Sequence, residues 1–385
     1  MNITNDIFYV GVNDHEIDLF EGQYIVPNGM SYNSYIILDE KIAVMDTVDA
    51  NFGEEWLNNI KKVLNGKIPS YLIIQHMEPD HSANITTFMK AFPQTTIVAS
   101  AMAFQMMKKL YGNDYSENRI VIKENDSLNL GTHSLTFLSA AMVHWPEVMF
   151  TYDNKDKVLF SADGFGKFGA LDIEEEWDCE ARRYYFGIVG KFGNNVQTLL
   201  KKAKKLEINT ICPLHGPILN ENLNHYLEKY DIWSSYNIES EGVMVAYTSV
   251  YGNTKKAALT LQRLLIEKGV KKVVLCDLQR DDMAEAVEDA FRYGKLILAS
   301  PTYNSSIFPH MREFINELIS HNYQNRTIAL VENGLWAPTA NKVMRSMLEN
   351  LTNVNILDQT ATINGSVDET AGEQLNKLVE EIIKA

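Results

Sequence analysis

Apolar and polar positions follow two different patterns along the 385 residues, and the change comes near residue 240. Before it, short apolar stretches alternate with turns. Strands are predicted at Tyr35–Asp46, Ser70–Gln75, Thr95–Ser100, Ile120–Lys123, Leu135–His144 and Lys157–Ala162. Helical spacing predicts Glu54–Leu64, Ile85–Phe92 and Asn195–Leu206. The last closes on Lys201-Lys202-Ala203-Lys204-Lys205, a basic run read as a solvated face near a helix C-terminus. Around Tyr236–Glu241 the chain turns polar, as a linker does.

From Val243 the pattern is a regular strand–helix alternation. Strands fall at Val243–Thr248, Lys272–Asp277, Leu296–Ser300, Thr327–Val331 and Val354–Ala361. Helices fall at Thr254–Lys268, Asp282–Tyr293, Pro309–His321, Thr339–Leu351 and Glu369–Lys384. Strands with interposed helices predict a doubly wound parallel sheet that binds ligands at its strand C-terminal ends. The expectation is an α/β chain of two domains, residues 1–240 and 243–385.

Composition narrows the class. Hydrophobic residues at 45% and charged residues at 22% supply ample core for globular domains. No apolar run reaches the ~18–20 residues that cross a bilayer, and Met1–Asp6 lacks the features of a signal peptide. A cytoplasmic protein without membrane attachment is expected. Cys179, Cys212 and Cys276 form no CxxC pair, so neither a thiolate cluster nor a rubredoxin-like iron site is predicted. The net charge of −15 argues against nucleic acid as a partner. From Val243 onward 15 Lys and Arg stand against 17 Asp and Glu, leaving −2 there and −13 before it.

The densest chemistry is His76-Met77-Glu78-Pro79-Asp80-His81, four metal-binding side chains directly after the apolar run Tyr71–Ile74. Imidazole nitrogen with carboxylate oxygen suits zinc, iron or manganese. Pro79 is read as keeping these donors on a loop; the competing reading is a solvated loop with Asp80 capping the helix that follows. Three further apolar stretches end on a donor: His144, Asp163 and His215. Strands running the same way would gather all four ends at one edge. His15, His133, His225, His310 and His321 are assigned surface or structural roles. Glu147, Tyr184 and Tyr185 read more readily as packing residues than as neighbours of the metals.

In the second segment, Thr248-Ser249-Val250-Tyr251-Gly252-Asn253-Thr254 joins the first strand to a helix. Hydroxyls, backbone N–H groups and the helix N-terminus there can converge on a phosphate. Ser300-Pro301-Thr302-Tyr303-Asn304-Ser305 follows the third strand and Glu332-Asn333-Gly334-Leu335-Trp336 the fourth. No GxGxxG element with a ribose-binding acid occurs.

The donor order HxExDH, His, Asp and His-Gly-Pro resembles the metallo-β-lactamase fold in its flavodiiron branch. Gly29-Met30-Ser31-Tyr32-Asn33 and His144-Trp145-Pro146-Glu147 are similar to that family too, and the second segment resembles flavodoxin. The resemblance implies an αββα sandwich followed by a flavodoxin-like domain. It implies one iron at His76, Glu78 and His144, another at Asp80, His81 and His215, and Asp163 bridging them. It also implies FMN bound by the three loops, with Tyr303 and Trp336 as aromatic candidates at the ring. Zinc hydrolases of this fold usually carry His at the position of Glu78, and a carboxylate there favours iron. The activity implied is reduction of dioxygen to water, nitric oxide to nitrous oxide, or both. A rubredoxin-type electron donor, with a deazaflavin coenzyme as runner-up, and a head-to-tail homodimer or dimer of dimers complete the picture. The alternatives are a zinc metallohydrolase with a regulatory flavodoxin domain and a simple electron-transfer flavoprotein.

Overall fold

The computed structural model describes all residues from Met1 to Ala385, and the chain divides into two compact units. Met1–Tyr185 with Phe192–Asp231 form the first, and Phe186–Lys191 with Ile232–Ala385 form the second. The division lies a few residues before the polar stretch, because the chain around Tyr236 is stapled to the second unit. Arg326, buried, donates to the carbonyls of Tyr236 at 2.7 Å and Asn237 at 3.0 Å.

The first unit is built on two sheets of six and five strands. In the larger, the order is Ile7–Tyr9, Tyr35–Ile37, Ala43–Met45, Tyr71–Ile73, Thr96–Ser100 and Arg119–Ile122. In the other it is Ser127–Asn129, Ser134–Ser139, Met149–Asp153, Val158–Phe160 and Thr210–Cys212. One core joins their facing sides, with Tyr35, Met45, Ile73 and Val98 from one sheet against Phe137, Val158, Phe160 and Cys212 from the other. Outer helices bury a single stripe each. Gly53–Leu64 sinks Trp56, Ile60 and Leu64, spaced by four, and turns Glu54, Glu55, Lys61 and Lys62 away from that stripe.

Strand directions decide where chemistry can collect. Ser134–Ser139, Val158–Phe160 and Thr210–Cys212 run the same way, being linked by two antiparallel pairings and one parallel pairing. Tyr71–Ile73 lies parallel to both its neighbours. The expected strand Tyr35–Asp46 is a hairpin, Tyr35–Ile37 against Ala43–Met45. The expected strand Leu135–His144 stops at Ser139. Beyond it the backbone turns, with Met142 in the left-handed region, so an apolar run became a loop.

The second unit is a parallel sheet ordered Val273–Asp277, Ser240–Tyr247, Tyr293–Tyr303, Thr327–Asn333, then Asn355–Ile356 and Ala361–Ile363. This is the doubly wound arrangement, with the chain reversing direction of progress between its first and third strands. Val243, Val245 and Tyr247 pack under the helices Asn253–Glu267 and Glu369–Lys384. The alternate residues Met244 and Ala246 are buried on the other face. Val354–Ala361, expected as one strand, is broken at Leu357–Thr360 into two short pieces.

Candidate metal centre and cofactor cleft

Seven donors from four segments of the first unit meet at the C-terminal ends of its strands. The hexapeptide follows Tyr71–Ile73, and Pro79–Ser82 forms one helical turn rather than a loop. Proline fits its first position, where an N–H would be unused and φ is already helical. Asp80 therefore sits inside the turn, and no side-chain cap bond is made there. The later helix Ile85–Ala91 begins after Asn84.

Two groups of ligand atoms form, each within 4.8 Å: His76, Glu78, His144 and Asp163 in one, Asp80, His81 and His215 in the other. In the first, Glu78 Oε2 lies 3.0 Å from His144 Nε2 and 3.2 Å from His76 Nε2. In the second, Asp80 Oδ2 lies 3.2 Å from both His81 Nε2 and His215 Nε2. Asp163 faces both groups. Its Oδ2 stands 3.1 Å from His76 Nε2 and 3.2 Å from His144 Nε2, while its Oδ1 stands 3.3 Å from His81 Nε2 and 3.9 Å from His215 Nε2.

These contacts are not an ordinary hydrogen-bond network. Both oxygens of Asp163 and both of Asp80 are buried without a hydrogen-bond partner. His81 Nε2 and His215 Nε2 point at each other at 3.0 Å. Buried oxygens off hydrogen-bond geometry, with ring nitrogens converging on them, fit donors aimed at shared cations. Three carboxylates and four imidazoles match the mixed oxygen and nitrogen preference of non-haem iron.

Surrounding groups fix the rings. His76 Nδ1 donates to Glu147 Oε1 at 2.8 Å, and the same oxygen accepts Met77 N at 2.8 Å. His215 Nδ1 donates to Ser31 O at 2.7 Å. Each bond leaves Nε2 as the ring's inward donor. Asn33, buried, donates to Pro213 O and Gly216 O at 2.9 and 2.8 Å and so clamps the His215 loop. Gly216 has φ +77°, and a Cβ there would meet the Lys167 side chain at 2.7 Å. Asp46 accepts Gln75 N at 2.7 Å, His76 N at 3.3 Å and Gln75 Nε2 at 2.9 Å. Burial outweighs those bonds and pushes its carboxyl up to about 6.

Electrostatics ties the set together. Burial disfavours charge on His76, His81 and His144, yet the Asp163, Asp80, Glu78 and Glu147 carboxylates outweigh it and all three imidazoles are raised. His144 reaches about 9. Burial would raise Glu78 and Asp163, but the same imidazoles hold both well below the usual carboxylate range.

Glu147 thus touches a donor ring, against the packing role expected for it. Tyr184 is buried with its ring 5.6 Å from that of His215, and Tyr185 packs on Tyr230. Asp46 and Ser31 went unassigned in the sequence. Asp46 carried a usable signal, since it ends the apolar run Ala43–Met45 just as Asp163 ends another. Glu21 carried none. It lies between the short strands Leu19–Phe20 and Tyr24–Ile25, and desolvation with the nearby Glu78 charge pushes it up to about 7.

In the second unit a cleft of about 550 Å³ opens at the strand C-terminal ends. Ser249, Val250, Tyr251, Asn253 and Thr254 line it from the first loop and Pro301 to Ser305 from the second. Asn333 to Ala337 close it with Gly365, which had not been anticipated. Gly252 caps the helix Asn253–Glu267 in the left-handed region with φ +86° and offers no side-chain cap. Ser249 Oγ accepts Gly252 N at 3.1 Å and Lys255 N at 3.2 Å, shaping a loop whose N–H groups suit a phosphate. Tyr251 and Trp336 are 93% and 80% exposed, flat apolar surfaces beside the cleft.

Four expected cofactor contacts do not line it. Thr248 and Ser300 are fully buried and bonded to each other at 3.3 Å. Glu332 is held by Asn341 N and Thr362 Oγ1, both at 2.9 Å. Gly252 shapes the loop without lining the cleft.

A two-group metal centre on a lactamase-like sandwich, with a flavodoxin-like sheet carrying a phosphate loop, defines a redox metalloflavoprotein. Comparison with known proteins agrees. The family model for ODP family beta lactamase matches residues 30–216 and that for the flavodoxin domain matches 244–384. The chain is 30% identical to the nitric oxide reductase of Moorella thermoacetica, covering 90% of this chain and 89% of that protein. The flavodiiron protein of Giardia intestinalis superposes with a TM-score of 0.92 at 26% identity, over 99% of this chain and 95% of that one. Rubredoxin oxygen:oxidoreductase from Desulfovibrio gigas shares the fold at a TM-score of 0.93, 24% identity and coverage of 100% and 98%. The chain belongs to the flavodiiron proteins, oxidoreductases that combine FMN with a non-haem diiron centre. No helix is long and apolar enough to cross a membrane.

Proposed function

We propose that this protein reduces dioxygen to water, nitric oxide to nitrous oxide, or both, with residues 1–240 carrying the diiron centre and 243–385 the FMN. The observation that carries this reading is Asp163, one oxygen turned to each donor group. His76, Glu78 and His144 would hold one iron and Asp80, His81 and His215 the other, with the Asp163 carboxylate available to both. When bound, the irons and FMN supply one- and two-electron chemistry that takes O2 with four electrons and four protons to two waters. For two NO, two electrons and two protons give N2O and one water.

The chain's own residues hold and orient. Side chains of Glu78, Asp80 and His144 remain 14%, 13% and 9% accessible, against 1% or less for the other four donors. A diatomic therefore enters from the side of those three. Glu147 and Ser31 keep the rings turned inward, and Asp46 holds the backbone that carries His76. In the cleft, the Ser249 loop would hold the FMN phosphate, and Tyr303 and Trp336 would flank its ring.

The Moorella relative's name supports nitric oxide, and the Desulfovibrio name supports dioxygen and a rubredoxin-type donor; a deazaflavin coenzyme is the runner-up donor. A head-to-tail homodimer, or a dimer of such dimers, brings FMN of one chain to the irons of the other. The relatives lend no support to the zinc-hydrolase alternative.

The deciding experiment is anaerobic reduction followed by stopped-flow exposure to O2 and NO separately. Fast reoxidation by both gases means dual use, and a large rate difference names the substrate. Reoxidation by neither, or a preparation holding two zincs and no iron, overturns the proposal. Glu78→His should shift the metal content from iron toward zinc, read by metal analysis.

A further inference from the structure

We propose a third metal site, for one divalent first-row cation, at His133, Asp153 and Asp156. It is independent of the function proposed above. One ligand atom from each residue lies within 4.8 Å of the others. His133 and Asp153 are fully buried. His133 Nδ1 stands 3.1 Å from Asp153 Oδ1 yet has no hydrogen-bond partner. Buried imidazole and carboxylate atoms close together but off hydrogen-bond geometry are what the Asp163 and Asp80 contacts show.

Topology puts this cluster at the other end of the same sheet. His133 precedes Ser134–Ser139, whereas His144 follows it. Asp153 and Asp156 precede Val158–Phe160, whereas Asp163 follows it. The turn is shaped for this, since Asp153 accepts Lys155 N at 3.4 Å and Asp156 N at 2.9 Å, folding Asp156 back toward it. Asp39 is not a donor here, being occupied by the His133 N–H and the Thr132 hydroxyl.

Lys155 is the competitor. Its ammonium is paired with Asp6 and lies 3.1 Å from His133 Nε2. A donating ammonium there leaves the ring proton on Nδ1. A cation on Nδ1 needs that proton on Nε2, which then faces Asp6 Oδ2 at 3.5 Å while Lys155 moves off. Three carboxylates (Asp6, Asp153, Asp156) against one ammonium leave the pocket negative with neutral His133, which favours a dication. One nitrogen and two oxygens select a borderline metal such as Zn2+ or Mn2+.

The test uses the iron- and FMN-loaded protein, dialysed against micromolar ZnCl2, desalted and counted for metals. One zinc per chain is expected beyond unchanged iron and FMN. Asp156→Asn and His133→Gln should each weaken that zinc by about ten-fold or more, without changing O2 or NO consumption. Lys155→Met should bind it several-fold more tightly. Zinc should raise the Tm of the wild type and not of Asp156→Asn. If His133→Gln does not fold, Asp156→Asn on its partly exposed turn decides. No extra zinc in the wild type, or extra zinc retained by Asp156→Asn, overturns the site, and unchanged or weaker binding in Lys155→Met overturns the proton arrangement.

Discussion

At Glu147 a single oxygen accepts both His76 Nδ1 and the Met77 N–H, across a sequence separation of 71 and 70 residues. Glu147→Gln preserves the shape of that contact and removes its charge. Outer partners of metal-binding histidines are worth roughly 10–100-fold in metal affinity, so we expect iron affinity to fall about ten-fold, and further in Glu147→Ala, measured by chelator competition. A second prediction concerns protons that occupy the metal's place. His144 has a folded pKa of about 9, above the ordinary 6.5. A raised pKa gives stability that is complete below the unfolded value and lost as pH rises through the folded one. The iron-free protein should therefore lose Tm between pH 6.5 and about 9, by more than the iron-loaded protein, whose His144 nitrogen is held by metal instead. Iron uptake by the apoprotein should strengthen over the same window, because binding displaces those protons. The donors were legible in the sequence because four of the seven stand within six residues. Glu147 and Ser31 were not, since their contacts span 71 and 184 residues and only folding pairs them.

Elements of the second unit followed the pattern closely, and two of its amphipathic helices carry an independent start signal. Asp282 accepts Ala284 N at 2.8 Å and Asp368 accepts Ala371 N at 2.8 Å, and the helices begin one residue after each. In the first unit, Ala101–Tyr111, Trp177–Tyr184 and Leu223–Ser234 were missed. Ala101–Tyr111 buries only Ala103, Phe104 and Met107, so its apolar stripe is too thin to stand out among Met102, Met106 and Leu110. Pro79 misled for the opposite reason: a residue read as a breaker is the opening of a turn. The phosphate loop allows a prediction at this scale. Ser249→Ala removes the acceptor for Gly252 N and Lys255 N, which resembles loss of a helix cap at about 1 kcal/mol. We expect FMN to bind roughly five- to ten-fold more weakly, seen by flavin fluorescence, with the iron content unchanged.

For the whole molecule, the two chemistries belong to separate units, and the proposal needs electrons to pass from one chain's flavin to another's irons. The loops beside the cleft leave Tyr251 and Leu335 exposed by 93% and 73%. Large apolar side chains left open together commonly mark a surface that a partner covers. In a two-fold dimer each surface meets its counterpart twice, so two flavin–iron pairs form per dimer. This arrangement can be tested by complementation. An Asp163→Asn chain keeps its FMN but loses the bridge, and a chain with Ser249→Ala and Gly252→Val, which blocks the left-handed cap, keeps its irons but loses FMN. Neither should reduce O2 or NO from an external donor. If subunits exchange randomly on mixing, half the dimers are mixed, and each of these holds one intact pair across its interface. Activity should then return to about a quarter of the wild-type value. Pairing within a single chain gives no recovery at all, because every chain in the mixture lacks one partner.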